Sequence, residues 1–408
     1  MQKKFIIAGG LVLVSITIAL FVYVFFVQKA GEPLSSTQEG VFATSDQADT
    51  VQSPSGTDTQ SAEVNLAQDT PSTSALTETT GVQGTETQAP RSHYTQLSTT
   101  PVAGMTFIGT STVRYSEKGT GTLVDVNLLT QETTTLTTNL SNIISATFNT
   151  NGSRVIFKLH DTLTTRFFVG VVAKNAEGIN DLRGSFLPQD TEDAIFVGDT
   201  NIRYLLATAA GGEVHTYESS TKKDSIEGTL PFSQASLISS GKDTYILSRP
   251  SASQLGTLFR YTPEGITPLL PSARGLTAFV APYSESLYST GYFDRELSTT
   301  VLKGDTQSYL AQIMNTDTCT ATQASVYCAR PIVFETAEYP DRWYRGEERH
   351  EDFIWWLNEE SNTLHPISSP VKETGQSFDI LAMQGNKDVD NLLLLINKNN
   401  GTLWLYTQ

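Results

Sequence analysis

Hydrophobic positions along this chain change their rhythm twice. From Phe5 to Val27, 23 residues pass without a charge, directly behind Lys3 and Lys4. A helix of that length reaches about 34 Å, enough to cross a hydrocarbon core of roughly 30 Å. The run predicts a membrane anchor through residues 5–27, with residues 1–30 as cytoplasmic tip and transmembrane helix. The other reading is a cleaved signal peptide, whose apolar region is usually about 7–15 residues with a small-x-small site behind it. Here the run is longer and "VQKAGEP" is a poor site. Lys3 and Lys4 keep the amino terminus cytoplasmic by the positive-inside rule, an asymmetry that Lys29 weakens. The remainder is then expected on the extracytoplasmic side of the cell membrane.

From residue 31 to 91 the apolar rhythm disappears. The segment is acidic and rich in Ser, Thr, Gln, Gly and Pro, with Phe42 its only aromatic residue. Such a composition buries too little apolar surface to offset its ordering entropy, which predicts a disordered linker. As a flexible coil it spans about 40–45 Å, a tether holding a head away from the bilayer.

Residues 92–408 carry a third rhythm, in which an apolar strand end, a polar turn and a second apolar strand recur. The copies begin at Phe107, Phe148, Phe196, Leu237, Phe279, Cys319 and Leu381, at intervals of 41, 48, 41, 42, 40 and 62 residues. A third strand follows each hairpin, as in "GTLVDVN" from Gly121, "FIWWLNE" from Phe353 and "GTLWLYT" from Gly401. A more polar fourth strand, such as "QETTTLTT" or "GITPLLP", closes a unit on its outside. A period of roughly 40–50 residues is that of a four-stranded propeller blade. The pattern predicts an all-β, seven-bladed β-propeller; a β-sandwich shares the short strands but leaves the period unexplained. The seventh unit supplies three strands before Thr407 and Gln408. "HYTQLST" (His93–Thr99) is expected to complete it and so clasp the two ends of the head into a ring without a free edge.

Composition and charge narrow the function classes. Lys plus Arg is 27 against 43 Asp plus Glu, a net charge of −16, so a nucleic-acid partner, which needs basic patches, is not expected. Cys319 and Cys328, the only cysteines, lie nine residues apart, like Phe148 and Phe157 in the second unit. Opposed across a hairpin outside the cytoplasm they would form a disulfide; the alternative is two buried thiols. With no cysteine near the membrane, a lipid-modified cysteine anchor is excluded. Two cysteines without a nearby histidine make no metal site, and no cofactor is expected.

The 62-residue interval holds the one sizeable insertion, Ile332–Asp352. Its Tyr339, Asp341, Arg342, Trp343, Tyr344 and Arg345 combine the residue types enriched at interface hot spots. They are read either as a recognition surface or as a lid folding back over the blade. The "EERHED" run (Glu347–Asp352) could hold a cation, but such charge clusters in loops are usually solvated. Trp355 and Trp356 are adjacent in one strand and so face opposite sides of the sheet. No His-Glu-x-x-His, Gly-x-Ser-x-Gly, phosphate-loop or dinucleotide motif occurs. "NTNGSR" and "NKNNGT" lack the carboxylates of a Ca²⁺ loop and read as tight turns.

The runs "VRYSEKGTGTLVDVN" from Val113, "YC" at Tyr327–Cys328, "YPDRWYRG" at Tyr339–Gly346 and "INKNNGTLW" resemble one group of proteins. These are membrane-anchored, propeller-like proteins of small-genome, uncultivated bacteria. More loosely, "ATFNTNGSRVIF" is similar to the opening strands of translocation-protein-type and WD-repeat propellers, without the Trp-Asp signature. The resemblance implies fold and anchoring, with no activity attached. The expected function is a binding module that docks a protein or glycan at the cell surface and carries no catalytic site. The alternatives are a hydrolase or lyase acting in the central channel, and a structural subunit of a surface or secretion assembly.

Overall fold

Each hairpin that the repeat predicts is a hairpin in the structure, a computed structural model that describes residues 92–408 apart from 139, 163, 175–179, 242, 250 and 285. The expected anchor at residues 5–27 and the linker 31–91 lie outside the described residues. Among those described, no helix is long and apolar enough to cross a membrane.

After β1 (Tyr94–Gln96), blade 1 is β2 (Val102–Ile108), β3 (Thr112–Glu117), β4 (Leu123–Asn127) and β5 (Thr133–Leu136). Blade 2 is β6 (Ile143–Phe148), β7 (Arg154–Asp161), β8 (Thr164–Lys174) and β9 (Asn180–Phe186). Blade 3 is β10 (Thr191–Val197), β11 (Asn201–Thr208), β12 (Gly211–Glu218) and β13 (Lys223–Leu230). Blade 4 is β14 (Ala235–Ser239), β15 (Thr244–Ser248), β17 (Leu258–Thr262) and β18 (Gly265–Pro268). The short β16 (Leu255–Gly256) leaves blade 4 to pair with the inner strand of blade 5. Blade 5 is β19 (Ala273–Val280), β20 (Leu287–Phe293), β21 (Glu296–Lys303) and β22 (Thr306–Tyr309). Blade 6 is β23 (Cys319–Ala321), β24 (Val326–Pro331), β25 (Asp352–Asn358) and β26 (Thr363–Ser368). Blade 7 runs β27 (Ile380–Gly385), β28 (Leu392–Asn397), β29 (Leu403–Thr407) and then β1. The seventh sheet thus takes its outer strand from the opposite end of the head, the clasp expected of His93–Thr99.

The apolar pattern explains why the sheets form a ring. In β28, Leu393 and Leu395 pack with Ile354 and Tyr327 of blade 6, while Leu394 and Ile396 pack with Met105 and Val113 of blade 1. Successive side chains point to opposite faces, so a strand buried on both faces must be apolar at every position. All seven apolar clusters join neighbouring blades. Trp355 packs toward blade 5 and Trp356 toward blade 7, on opposite faces as expected.

Polar contacts set the spacing between blades. Asp193 accepts from the Leu237 N–H at 2.7 Å, joining blade 3 to blade 4. Arg114 grips Asp125 with Nε and a terminal nitrogen, each at 2.6 Å, and donates to the Gly152 carbonyl of blade 2. On the inner strand of blade 1, a Cβ on Gly104 would meet the Ala146 carbonyl oxygen at 1.8 Å, so only glycine allows this approach.

Cys319 stands directly opposite Cys328, their Cα atoms 4.1 Å apart, and the two are disulfide-bonded. The comparison with blade 2 does not hold in register. There Phe157 faces Ala146 and Phe148 faces Val155, because the longer 149–153 turn shifts the pairing.

Candidate functional site

A blade that runs antiparallel from its inner to its outer strand places its second-to-third loop and its exit to the next blade on one side of the ring. The Ile332–Asp352 insertion joins β24 to β25 and therefore belongs to that loop face. Its centre is one short helix, α1 (Asp341–Tyr344). A second, α2 (Pro370–Thr374), lies in the exit from blade 6.

The insertion folds back as a lid. Tyr339 is buried; its hydroxyl pairs with Thr277 Oγ1 at 2.9 Å and donates to Asn315 Oδ1 at 3.3 Å, and its N–H donates to the Tyr292 hydroxyl. The lid backbone approaches blade 5 so closely that a Cβ on Gly275 (φ +61°) would meet the Tyr339 carbonyl oxygen at 2.3 Å. Trp343 is buried at the other end, where Nε1–H donates to Asp379 Oδ1 at 2.8 Å and Lys398 Nζ sits 4.0 Å from the ring centroid. The lid therefore spans blade 6, pinned to blade 5 by Tyr339 and to blade 7 by Trp343.

The six residues singled out from the sequence divide accordingly. Tyr339 and Trp343 are anchors, Asp341 and Arg342 are half-buried, and Tyr344 and Arg345 are exposed. Tyr344 donates to Asp317. Arg345 is already held by Glu347 at 2.7 Å and Glu338 at 3.3 Å. Beside the lid, Ile332 and Val333 are 53% and 74% exposed and line a groove of about 390 Å³ with Phe353 and Glu348.

The "EERHED" run is not uniformly solvated. Glu347, Arg349 and Glu351 are exposed, but His350 and Asp352 are buried, because the stem of the lid turns inward where β25 begins. His350 Nε2 lies 3.0 Å from Glu348, and Asp352 Oδ2 accepts from the Ile380 N–H at 2.7 Å. Burial raises the Asp352 carboxyl well above the usual carboxylate range against that N–H, and nearby Asp379 adds to the rise. Burial likewise lowers the Lys398 ammonium, which Asp379 at 3.7 Å partly offsets. Asp379 and Lys398 carry no sequence signal linking them to the insertion, since the fold alone brings blade 7 beneath it.

Across the same loop face, a polar cleft of about 610 Å³ opens over blades 2, 3 and 4. Lys158, Thr165, Asp190, Glu192 and Arg249 line it, with Arg249 and Glu192 3.4 Å apart. On the opposite side, the mouth of the central channel is a cavity of about 270 Å³. Its lining includes Phe107, Phe279, Tyr283, Gln384 and Lys387 and, among the described residues, no carboxylate or imidazole.

No protein-family model matches the chain, and no curated protein matches it. Among solved structures it is similar to the β-propeller domain of the Trilobed protease from Pyrococcus furiosus, whose topology is described as open velcro. Identity is 9%, the TM-score is 0.50, and the match covers 75% of this chain and 92% of that one. U3-55K is similar at 7% identity and a TM-score of 0.49, over 77% of this chain and 98% of its own. The acylaminoacyl peptidase of Pyrococcus horikoshii is similar at 9% identity and a TM-score of 0.48, over 75% of this chain and 51% of its own. At such identities the likeness is one of fold alone, and the ring here closes through β1 on β29.

Proposed function

We propose that this chain is a binding module, an extracytoplasmic propeller held at the cell membrane by residues 5–27 that docks a protein or glycan on its loop face. The observation that carries this reading is the shape of that face. A polar cleft of about 610 Å³ lies over blades 2 to 4, and the insertion tied to blades 5 and 7 leaves Ile332, Val333 and Tyr344 exposed. Rigid loops that offer both hydrogen-bonding and apolar surface are what recognition requires. The resemblance of "YPDRWYRG" and "INKNNGTLW" to membrane-anchored propeller-like proteins of uncultivated bacteria supports the anchored placement. The channel mouth, at about 270 Å³, is less than half the volume of the loop-face cleft, which supports the loop face as the docking surface.

Crosslinking of the full-length protein on its native cells tests the reading. Capture is expected to fall at least tenfold in either V333D/Y344A on the lid or K158A/D190A in the cleft. Loss of the captured species on glycosidase or protease treatment identifies its class. Capture unchanged in both double variants removes the loop face from consideration.

A further inference from the structure

Three buried side chains beneath the lid turn polar atoms toward one another. His350 Nδ1, Asp352 Oδ1 and Asp379 Oδ2 lie within 4.8 Å of each other, and none has a hydrogen-bond partner. The three side chains are 5, 2 and 1% exposed. The other polar atom of each is held. Glu348 faces His350 Nε2 at 3.0 Å, the Ile380 N–H donates to Asp352 Oδ2 at 2.7 Å, and Trp343 Nε1–H donates to Asp379 Oδ1 at 2.8 Å.

A carboxylate on Nε2 makes that nitrogen the donor, which leaves Nδ1 with its lone pair. His350 Nδ1 is 3.8 Å from Asp352 Oδ1, too far for a hydrogen bond. With Asp352 ionised, three acceptors converge out of reach of water, an arrangement that is costly without a positive charge between them. Lys398 and the buried Arg330 act on these carboxyls from the side and supply only part of that charge. Lys398 Nζ is 3.7 Å from Asp379 Oδ2 and is engaged by the ring and carbonyl of Trp343.

We infer that His350 Nδ1, Asp352 Oδ1 and Asp379 Oδ2 form a binding site for a divalent transition cation. One imidazole and two carboxylates are the donor set of the zinc and manganese class, with no soft sulfur ligand. Hydrogen bonds on the far atoms are the outer shell that orients metal ligands, the Glu348–His350 pair above all. Atoms no more than 4.8 Å apart share a point within about 2.8 Å of all three, so closing to roughly 2.1 Å needs shifts of about 0.7 Å. His350 and Asp352 end the lid and Asp379 begins blade 7, so the cation would staple the lid to the ring.

The test uses untagged full-length protein in detergent, stripped with a chelator and titrated with Zn²⁺ or Co²⁺. The wild type is expected to retain one equivalent of Zn²⁺ through gel filtration, to melt several degrees higher with it, and to develop visible Co²⁺ bands that Zn²⁺ displaces. H350Q and D379N are expected to lose the bands and the zinc-dependent shift. D379N keeps the acceptor for Trp343, which isolates the loss of the ligand oxygen from the loss of the lid contact. A wild type with no retained Zn²⁺ and no Co²⁺ bands overturns the site, whatever the variants do. So does a variant, folded by circular dichroism, that binds as the wild type does.

Discussion

Tyr94 stands directly opposite Tyr406 in the seventh sheet, with their ring centroids 5.1 Å apart. Tyr94 is buried, packs on Phe378 at 5.7 Å and pairs through its hydroxyl with Ser368 Oγ at 2.8 Å. A single side chain from β1 thus completes the interface between blades 6 and 7. Truncating a buried aromatic residue to alanine costs about 3–5 kcal/mol. Y94A is expected to lower the urea midpoint accordingly, and Y94F to lose about 1 kcal/mol for one hydrogen bond. Equal midpoints for wild type and Y94A would mean that the ring does not depend on this clasp.

Acid should weaken the same clasp. Burial pushes the Glu373 carboxyl up, but bonds from the Ser368 hydroxyl and from the backbone and ring of His93 outweigh it, so the group lies below its ordinary 4.5. A depressed carboxyl stabilises fully above its unfolded value and loses that contribution as pH falls through the folded one. The stability gap between wild type and E373Q is therefore expected to hold from pH 7 to about 5 and to shrink below about 4.5. A gap that grows toward low pH would contradict this sign.

Reduction of Cys319–Cys328 releases a short loop in blade 6. The chain-entropy relation gives about 2–3 kcal/mol for a loop of that size. The denaturation midpoint is expected to fall with a thiol reductant in wild type and to be unaffected by it in the double serine variant.

Buried and exposed lid aromatics should separate cleanly. W343A removes a buried ring and leaves Asp379 Oδ1 without its donor, at a cost of about 3–5 kcal/mol. Y344A removes an exposed ring and one hydrogen bond to Asp317, and should cost about 1 kcal/mol. Comparable losses in the two would reverse the assignment of anchor and surface.

Gly275 reports on lid seating. G275A combines a left-handed φ with a contact to the Tyr339 carbonyl, so the lid must lift. Trypsin is then expected to cut after Arg342 or Arg345 far faster than in wild type, with a much smaller change in the global midpoint.

How much of this was legible depends on how far apart the determining residues lie. The hairpins from Phe107 to Leu381, the third strands and the closing role of Tyr94–Gln96 follow from local runs and a repeat, because a strand buried on both faces announces itself as a continuous apolar stretch. The Cys319–Cys328 bridge was legible for the same reason, since both cysteines lie in one hairpin. The blade 2 analogy failed because turn length, not spacing alone, sets register. Tyr339 and Trp343 carry the composition of a binding surface, and no local property distinguishes an aromatic that meets a partner from one that meets the neighbouring blade.

The sequence by itself determined the repeated sheets and their number. Only the tertiary structure decided that Thr277, Asn315, Asp379 and Lys398 receive the lid, and that His350 and Asp352 lie buried against Asp379. Strand periodicity is encoded between residues two apart, whereas ring closure sets which distant loops meet, and no local pattern records that meeting.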